Sequence, residues 1–233
     1  MTEIADNLQN IRQRIARAAV VSGRAPGDVK LLAISKSFPI DRISEAIAAG
    51  QRRFGENRVQ EAEQKISHFR EFPDIEWHLV GHLQTNKARR AAQLFKVIHS
   101  LDSIRLAEKL TQAGLELGNV VSVLLEVNLA KEQTKSGADR SEVREIVAAS
   151  AQFPGIRLDG LMTIPPFSED PGAARPFFAE LRGLRDQLEE EHPGCLGERQ
   201  LSMGMSRDFE VAIEEGATLV RIGTAIFGKR EDG

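Results

Sequence analysis

The residues able to do chemistry collect where apolar runs end. In VKLLAISKSFP (29–39) the run Leu31 to Ile34 gives way to Ser35, Lys36 and Ser37 before a proline turn. A lysine in that place is either a solvated cation or an amine kept for covalent chemistry with a carbonyl. Two glycine-and-hydroxyl turns lie late in the chain, SMGMS (Ser202 to Ser206) and RIGTAIFG (Arg221 to Gly228). Gly204, following Met203, lets a backbone N–H approach an anion closely, and Ser206 stands where it would cap the next helix. Gly223 and Thr224 repeat that chemistry. Either turn alone reads as an ordinary loop; the two on adjacent strands suit a phosphate monoester. Leu219, Arg221 and Gly223 share a face by two-residue alternation, so Arg221 either points outward, forms a structural ion pair within the barrel, or faces inward toward a ligand, since burial demands a partner for it. Asn57, His82, Asn128 and Thr163 also follow strand-like runs.

These residues need a scaffold that brings eight strand ends together. Strand-like segments fall near 29–35, 52–55, 75–81, 97–101, 120–128, 156–164, 199–203 and 219–223. Amphipathic helical segments alternate with them, as in IDRISEAIAAG, SIRLAEKLTQAGLELG (capped by Asp102 or Ser103), ADRSEVREIVAASAQF, AARPFFAELRGLRDQLEEEH and SRDFEVAIEEG. Strict alternation predicts parallel βαβ units, and eight of them predict an α/β fold, a single-domain (β/α)8 TIM barrel. Ile4, Leu8, Ile11, Ile15 and Ala19 recur at helical spacing, giving an extra N-terminal helix over 1–23 that stops at Gly23 and packs on the barrel. Residues 1–233 are expected to form one domain.

Composition narrows the function. Of 233 residues, 41% are hydrophobic and 28% charged, with a formal net charge of -3. No positive field is present to attract nucleic acid, and NKARR (86–90) reads as a solvated helix face. No apolar run is long enough to span a membrane, and the charged N-terminus lacks the apolar stretch of a signal peptide. The single cysteine, Cys195, excludes an internal disulfide, so a reducing compartment, the cytoplasm, is expected. GTAIFGKR nearly matches a P-loop, but Arg230 replaces the magnesium-binding hydroxyl. His78 and His82 straddle a strand end and a glycine, not a helical face, so no metal site is expected. No GxGxxG follows the first strand, and no GxSxG occurs.

A first-strand lysine facing a phosphate site on the last two strands is explained most economically by pyridoxal 5'-phosphate (PLP), whose aldehyde forms a Schiff base while its phosphate is anchored opposite. The segments LLAISKSFP, AGQRRFGENRVQEAEQKI, EWHLVGHLQTNK, KSGA, GLMTIPP, LSMGMSRDFEVAI and LVRIGTAIFG resemble the pyridoxal phosphate homeostasis protein family from about residue 29 to 228. That family in turn resembles the N-terminal barrel of alanine racemase. The resemblance implies that Lys36 carries the PLP aldimine and that Ser206, Gly223 and Thr224, with the backbone of Met203 to Met205, hold the phosphate. It implies further that Arg221 faces the pyridine nitrogen and Asn57 lies near the ring. Its implied role is PLP, vitamin B6 and amino-acid homeostasis without robust catalysis. Many relatives carry a tyrosine where this chain has Arg58, and some a proline where it has His82.

Arginine is permanently protonated and cannot take a proton from, or fully protonate, a pyridine as a carboxylate partner does, so the electron sink is weak. Alanine racemase uses a tyrosine as one of its bases, and this chain contains none. The expected function is therefore a PLP carrier with no catalytic residue and PLP as its ligand. Apo PLP enzymes are the expected recipients, and a monomer the expected state. A PLP-dependent racemase or lyase using His82 or His78, and a barrel for another phosphate ester with Lys36 as a point charge, are the alternatives.

Overall fold

Short aliphatic strands separated by helices cannot pair as hairpins; each must cross over and pair in parallel with the next. The computed structural model, which describes residues 2–130 and 136–229, shows where this leads. After α1 (Glu3–Val21) come β1 (Lys30–Ile34), α2 (Ile40–Ala48), β2 (Arg53–Glu56), α3 (Val59–His68), β3 (Glu76–Leu79), α4 (Ala88–Leu94), β4 (Val97–Leu101) and α5 (Ile104–Leu117). There follow β5 (Val121–Glu126), α6 (Arg140–Ala148), β6 (Ile156–Met162), α7 (Arg175–Glu191), β7 (Gln200–Ser202), α8 (Phe209–Glu214), β8 (Leu219–Ile222) and α9 (Thr224–Phe227). The strands close a barrel in sequence order, β8 pairing in parallel with β1. The expected (β/α)8 architecture with an added N-terminal helix is the one found. Met1, Lys135 of KSGA and Arg230 lie outside the described residues.

Most of the observed strands are shorter than the apolar runs because those runs continue into the loops at the C-terminal face. Val127, for example, leaves β5 but still bridges to Ala138. The main core lies between barrel and helices, whereas the barrel interior is filled by small clusters, Leu32 with Val80 and Leu219, and Val97 with Leu124 and Met162. Ser103 caps α5, its Oγ accepting the Leu106 N–H at 3.3 Å.

The expected role of Ser206 as a helix cap is corrected. Helix α8 starts only at Phe209, with Asp208 in the N-cap position. Gly204 has φ +89, and an added Cβ would sit 2.5 Å from Ala212 Cβ. This left-handed turn throws the chain into a separate loop, in which Asp208 Oδ1 accepts the Met205 N–H at 2.6 Å. Ser206 is thus left on that loop, facing β8.

Helix α1 braces this end of the chain. Ile4, Leu8, Ile11 and Ile15 are buried, and the helix packs on α2, α8 and α9. Arg14 donates twice to Glu210 of α8, at 3.0 and 2.8 Å, and Asn7 Nδ2 donates to Ile226 O at 3.0 Å. Arg89 and Arg90, from the basic cluster, are exposed and paired with Glu116 and Glu63. Among the described residues no helix is long and apolar enough to cross a membrane. Leu8 is fully buried in this brace. Leu8→Ala is expected to lower stability by about 2–5 kcal/mol through the cavity it leaves, read as a fall in the urea midpoint at unchanged slope.

Candidate functional site

The lysine after β1 sits on a braced turn. Ser35 is buried, and its Oγ donates to Glu56 Oε1 at 2.6 Å. Lys65 of α3 reaches in beneath and donates to Ser35 O (2.8 Å), Glu56 Oε1 (2.8 Å) and Glu61 Oε1 (2.7 Å). Glu61 Oε1 also accepts the N–H of Ser37, which holds φ at 65°. Residues 35 and 37 are thereby fixed on either side of Lys36, which is half-buried. Burial raises the pKa of Glu56, and Lys65 opposes that rise.

Lys36 lines a cavity of about 300 Å³ together with Ile34, Phe38, Met205, Ser206, Arg221 and Thr224. Gly223 closes it where β8 passes into α9, its carbonyl accepting the N–H groups of Ile226 and Phe227 at 2.9 and 3.0 Å. Ser206 Oγ accepts the Ala225 N–H at 3.4 Å, joining the two hydroxyl-bearing turns. Phe167 stands at the rim with the Arg207 guanidinium 4.8 Å from its ring centre.

Arg221 is only 4% exposed. Nη1 donates to Ser202 O (2.6 Å) and Ser202 Oγ (2.7 Å), and Nη2 donates to Thr163 O at 2.8 Å. These acceptors are neutral. Burial lowers the pKa of Arg221 to about 10, with Glu126 and Asp208 acting against the fall, so the group stays charged at neutral pH.

Asn57 lines a neighbouring cavity of about 330 Å³, with Gly81, His82, Glu126, Val127 and Asn128. A Cβ on Gly81 would lie 2.4 Å from Asn57 O, so only glycine lets these two loops touch. His82 Nδ1 is 3.3 Å from Asp102 Oδ2. Glu126 is buried with Oε2 unpartnered, and desolvation, with Asp102 adding, pushes its pKa up to about 7.

Of the residues named from sequence, Lys36, Ser206, Arg221, Gly223 and Thr224 meet around one cavity. Asn57 lies on its neighbour. Met203 is buried, its N–H donating to Leu219 O at 3.1 Å, and Gly204 packs on α8. His78 does not reach this face at all; it lies inside the barrel, where burial lowers its pKa to about 3. Cys195 has its pKa raised to about 11 by burial and Glu189, which is the reverse of thiolate activation. Among the described residues no group of three metal-ligating side chains forms. The Glu56–Lys65–Glu61 brace and Glu126 were missed. Glu61 and Lys65, four apart on a helix, were a legible clue; Glu126 looked like any strand end.

Known proteins place this architecture. Residues 3–231 match the family model described as alanine racemase, N-terminal domain. The chain is 43% identical to the pyridoxal phosphate homeostasis protein of Aquifex aeolicus, covering 97% of this chain and 98% of that protein. It is 44% identical to the protein of that name in Escherichia coli K12, covering 99% and 98%. PipY of Synechococcus elongatus PCC7942, solved with PLP bound, superposes with a TM-score of 0.85 at 40% identity, covering 97% of this chain and all of that one. Alanine racemase of Corynebacterium glutamicum, at 19% identity and a TM-score of 0.73, shares the fold over 61% of its length.

Two outcomes follow from the buried carboxylates. Lys65→Met strands Glu56 in the protein and is expected to cost about 3–5 kcal/mol, most of it regained when Glu56→Leu is added, as measured by denaturant midpoints. The folded-state pKa of Glu126 lies above its unfolded value of 4.5, so its contribution is fully present below 4.5 and is lost as pH rises through about 7. Stability should therefore fall by ~2–3 kcal/mol over that window relative to Glu126→Gln.

Proposed function

The chain belongs to the pyridoxal phosphate homeostasis protein family, built on the alanine racemase N-terminal domain, and we propose that it binds PLP at the C-terminal mouth of its barrel as a carrier and buffer of the cofactor. The single observation that carries this reading is that an amine, two hydroxyls, a helix start and a buried guanidinium face one cavity of about 300 Å³.

The donor set fits the group. An aldehyde needs an amine, and Lys36 would hold it covalently. A phosphate needs hydroxyl and amide donors, and Ser206, Thr224 and the Gly223 turn would hold it. Met203 and Gly204, which do not line the cavity, would support that turn from behind it. Asn57 would approach the ring from the neighbouring cavity. Bound there, PLP supplies an electrophilic carbonyl and an electron sink for an attached amine.

Arg221 decides how strong that sink is. Fixed by Ser202 and Thr163, it can donate a hydrogen bond to a ring nitrogen set against it, but it cannot relay a proton as a carboxylic acid does. This favours storage over turnover. One observation favours a second reading, a PLP-dependent racemase or lyase: Glu126, poised near neutrality beside Asn57 and His82, could move a proton. The carrier reading expects no turnover of D- or L-amino acids; turnover abolished by Glu126→Gln establishes the second.

In the carrier role the recipients are apo PLP enzymes, the setting is the cytoplasm, and the working form is a monomer. Reactivation of an apo PLP enzyme by the loaded protein tests the transfer. Borohydride reduction of protein loaded with PLP should leave a pyridoxyl group on Lys36, found by mass spectrometry, and none in Lys36→Ala. A label scattered over surface lysines overturns the proposal. Ser206→Ala with Thr224→Val should weaken PLP binding at least ~10-fold, since each hydrogen bond to a charged group contributes ~1.5–3 kcal/mol.

A further inference from the structure

A chain of polar groups runs down the barrel from Arg221, and its direction is fixed at the top. Arginine can only donate, so Ser202 Oγ accepts from Nη1 at 2.7 Å. The Ser202 hydroxyl then has one proton to place, and its other partner is His99 Nδ1 at 3.0 Å, which satisfies that proton when it accepts. His99 accordingly carries its own proton on Nε2, 2.9 Å from His78 Nδ1. With Nδ1 of His78 accepting, its proton sits on Nε2. This direction gives each proton from Arg221 to His99 an acceptor, whereas the reverse, with His99 Nδ1–H donating to Ser202, leaves the Ser202 hydroxyl proton without one.

His78 is 4% exposed, and its Nε2 is buried without a hydrogen-bond partner. An orphan donor costs about 1–3 kcal/mol unless something accepts from it. His78 lines a cavity of about 450 Å³ at the opposite end of the barrel from Lys36, where the N-terminal ends of the strands meet. The charges that bear on His78 are Arg53, Lys30 and Lys96, all cations. The acids of this mouth are paired with its own arginines, Glu76 with Arg53 at 2.6 Å and Asp159 with Arg157 at 2.6 Å. Glu198 also faces Arg157. Lys30 and Lys96 are both exposed on the rim. In a chain of net charge -3, this mouth carries four cations, Lys30, Arg53, Lys96 and Arg157, against three acids, Glu76, Asp159 and Glu198, around the buried His78.

We propose that the N-terminal mouth of the barrel is a second ligand site, for a small oxyanion borne on a phosphate or a carboxylate. An oxygen of the ligand accepts from His78 Nε2–H, while Lys30 and Lys96 balance its charge. The site is separate from the cavity holding Lys36 and does not rest on PLP binding. Hydrogen bonds in a chain polarise one another, so an acceptor at His78 strengthens the donors up to Arg221.

The test uses the full chain with ¹⁵N-labelled histidine, without PLP. Long-range ¹H–¹⁵N spectra should show His78 protonated on Nε2. Inorganic phosphate and succinate are then titrated separately, with chloride at matched ionic strength as the control. A saturable shift of the His78 signals by either anion, absent with chloride, supports the site, and the anion that acts identifies the class. Binding should weaken at least tenfold in Lys30→Ala/Lys96→Ala and be unchanged in Ser206→Ala/Thr224→Val, which separates this site from the upper one. The rim lysines are exposed, so their removal leaves the core intact. A proton on His78 Nδ1, no shift with either anion, or an undiminished shift in the lysine variant overturns the proposal.

Discussion

A guanidinium sealed inside a parallel barrel is the constraint on which the rest depends. Arg221 has left water, yet its hydrogen bonds run to a hydroxyl and two backbone carbonyls rather than to a carboxylate. The charge survives because neutral acceptors from β7 and from the end of β6 are fixed where its fork needs them. Ser202 and Thr163 must hold their places, and Ser202 in turn hydrogen-bonds His99 at 3.0 Å. One buried cation thereby orders the polar interior from its upper face to its lower one.

The upper face divides into two neighbouring cavities. One gathers Lys36 and the hydroxyl turns of the last strands; the other gathers Asn57, His82 and Glu126. Different devices position each half. The first rests on buried ion pairing, with Lys65 between Glu56 and Glu61, and on α1 clamping α8 and α9. The second rests on a glycine contact, Gly81 against Asn57. In the proposed carrier role, the weaker electron sink that Arg221 would allow favours holding a cofactor over using it.

Much of this was legible in the sequence. The alternation of apolar runs and amphipathic helices determined eight strands, their order and a barrel, because parallel pairing and right-handed crossovers leave few other closed solutions. The lysine after the first strand and the glycine-hydroxyl turns of the last two were visible as motifs, since strand ends of a closed barrel must share a face. Local chemistry misled at Ser206: a serine before a helix is usually a cap, but beyond the left-handed turn at Gly204 the cap falls two residues later, at Asp208.

What only the tertiary structure decided is which groups meet inside. His99 and Ser202 are 103 residues apart, and nothing local couples them. His78 read as a neighbour of His82, yet the pleat turns it into the interior toward the lower mouth, while His82 emerges at the upper one. Glu126 looked like any acid at a strand end until burial without a partner raised its pKa. A sequence specifies periodicity and turns because these act over a few residues. Hydrogen-bond polarity, desolvation and cavity shape depend on side chains from distant strands arriving at one point, and only the closed barrel brings them there.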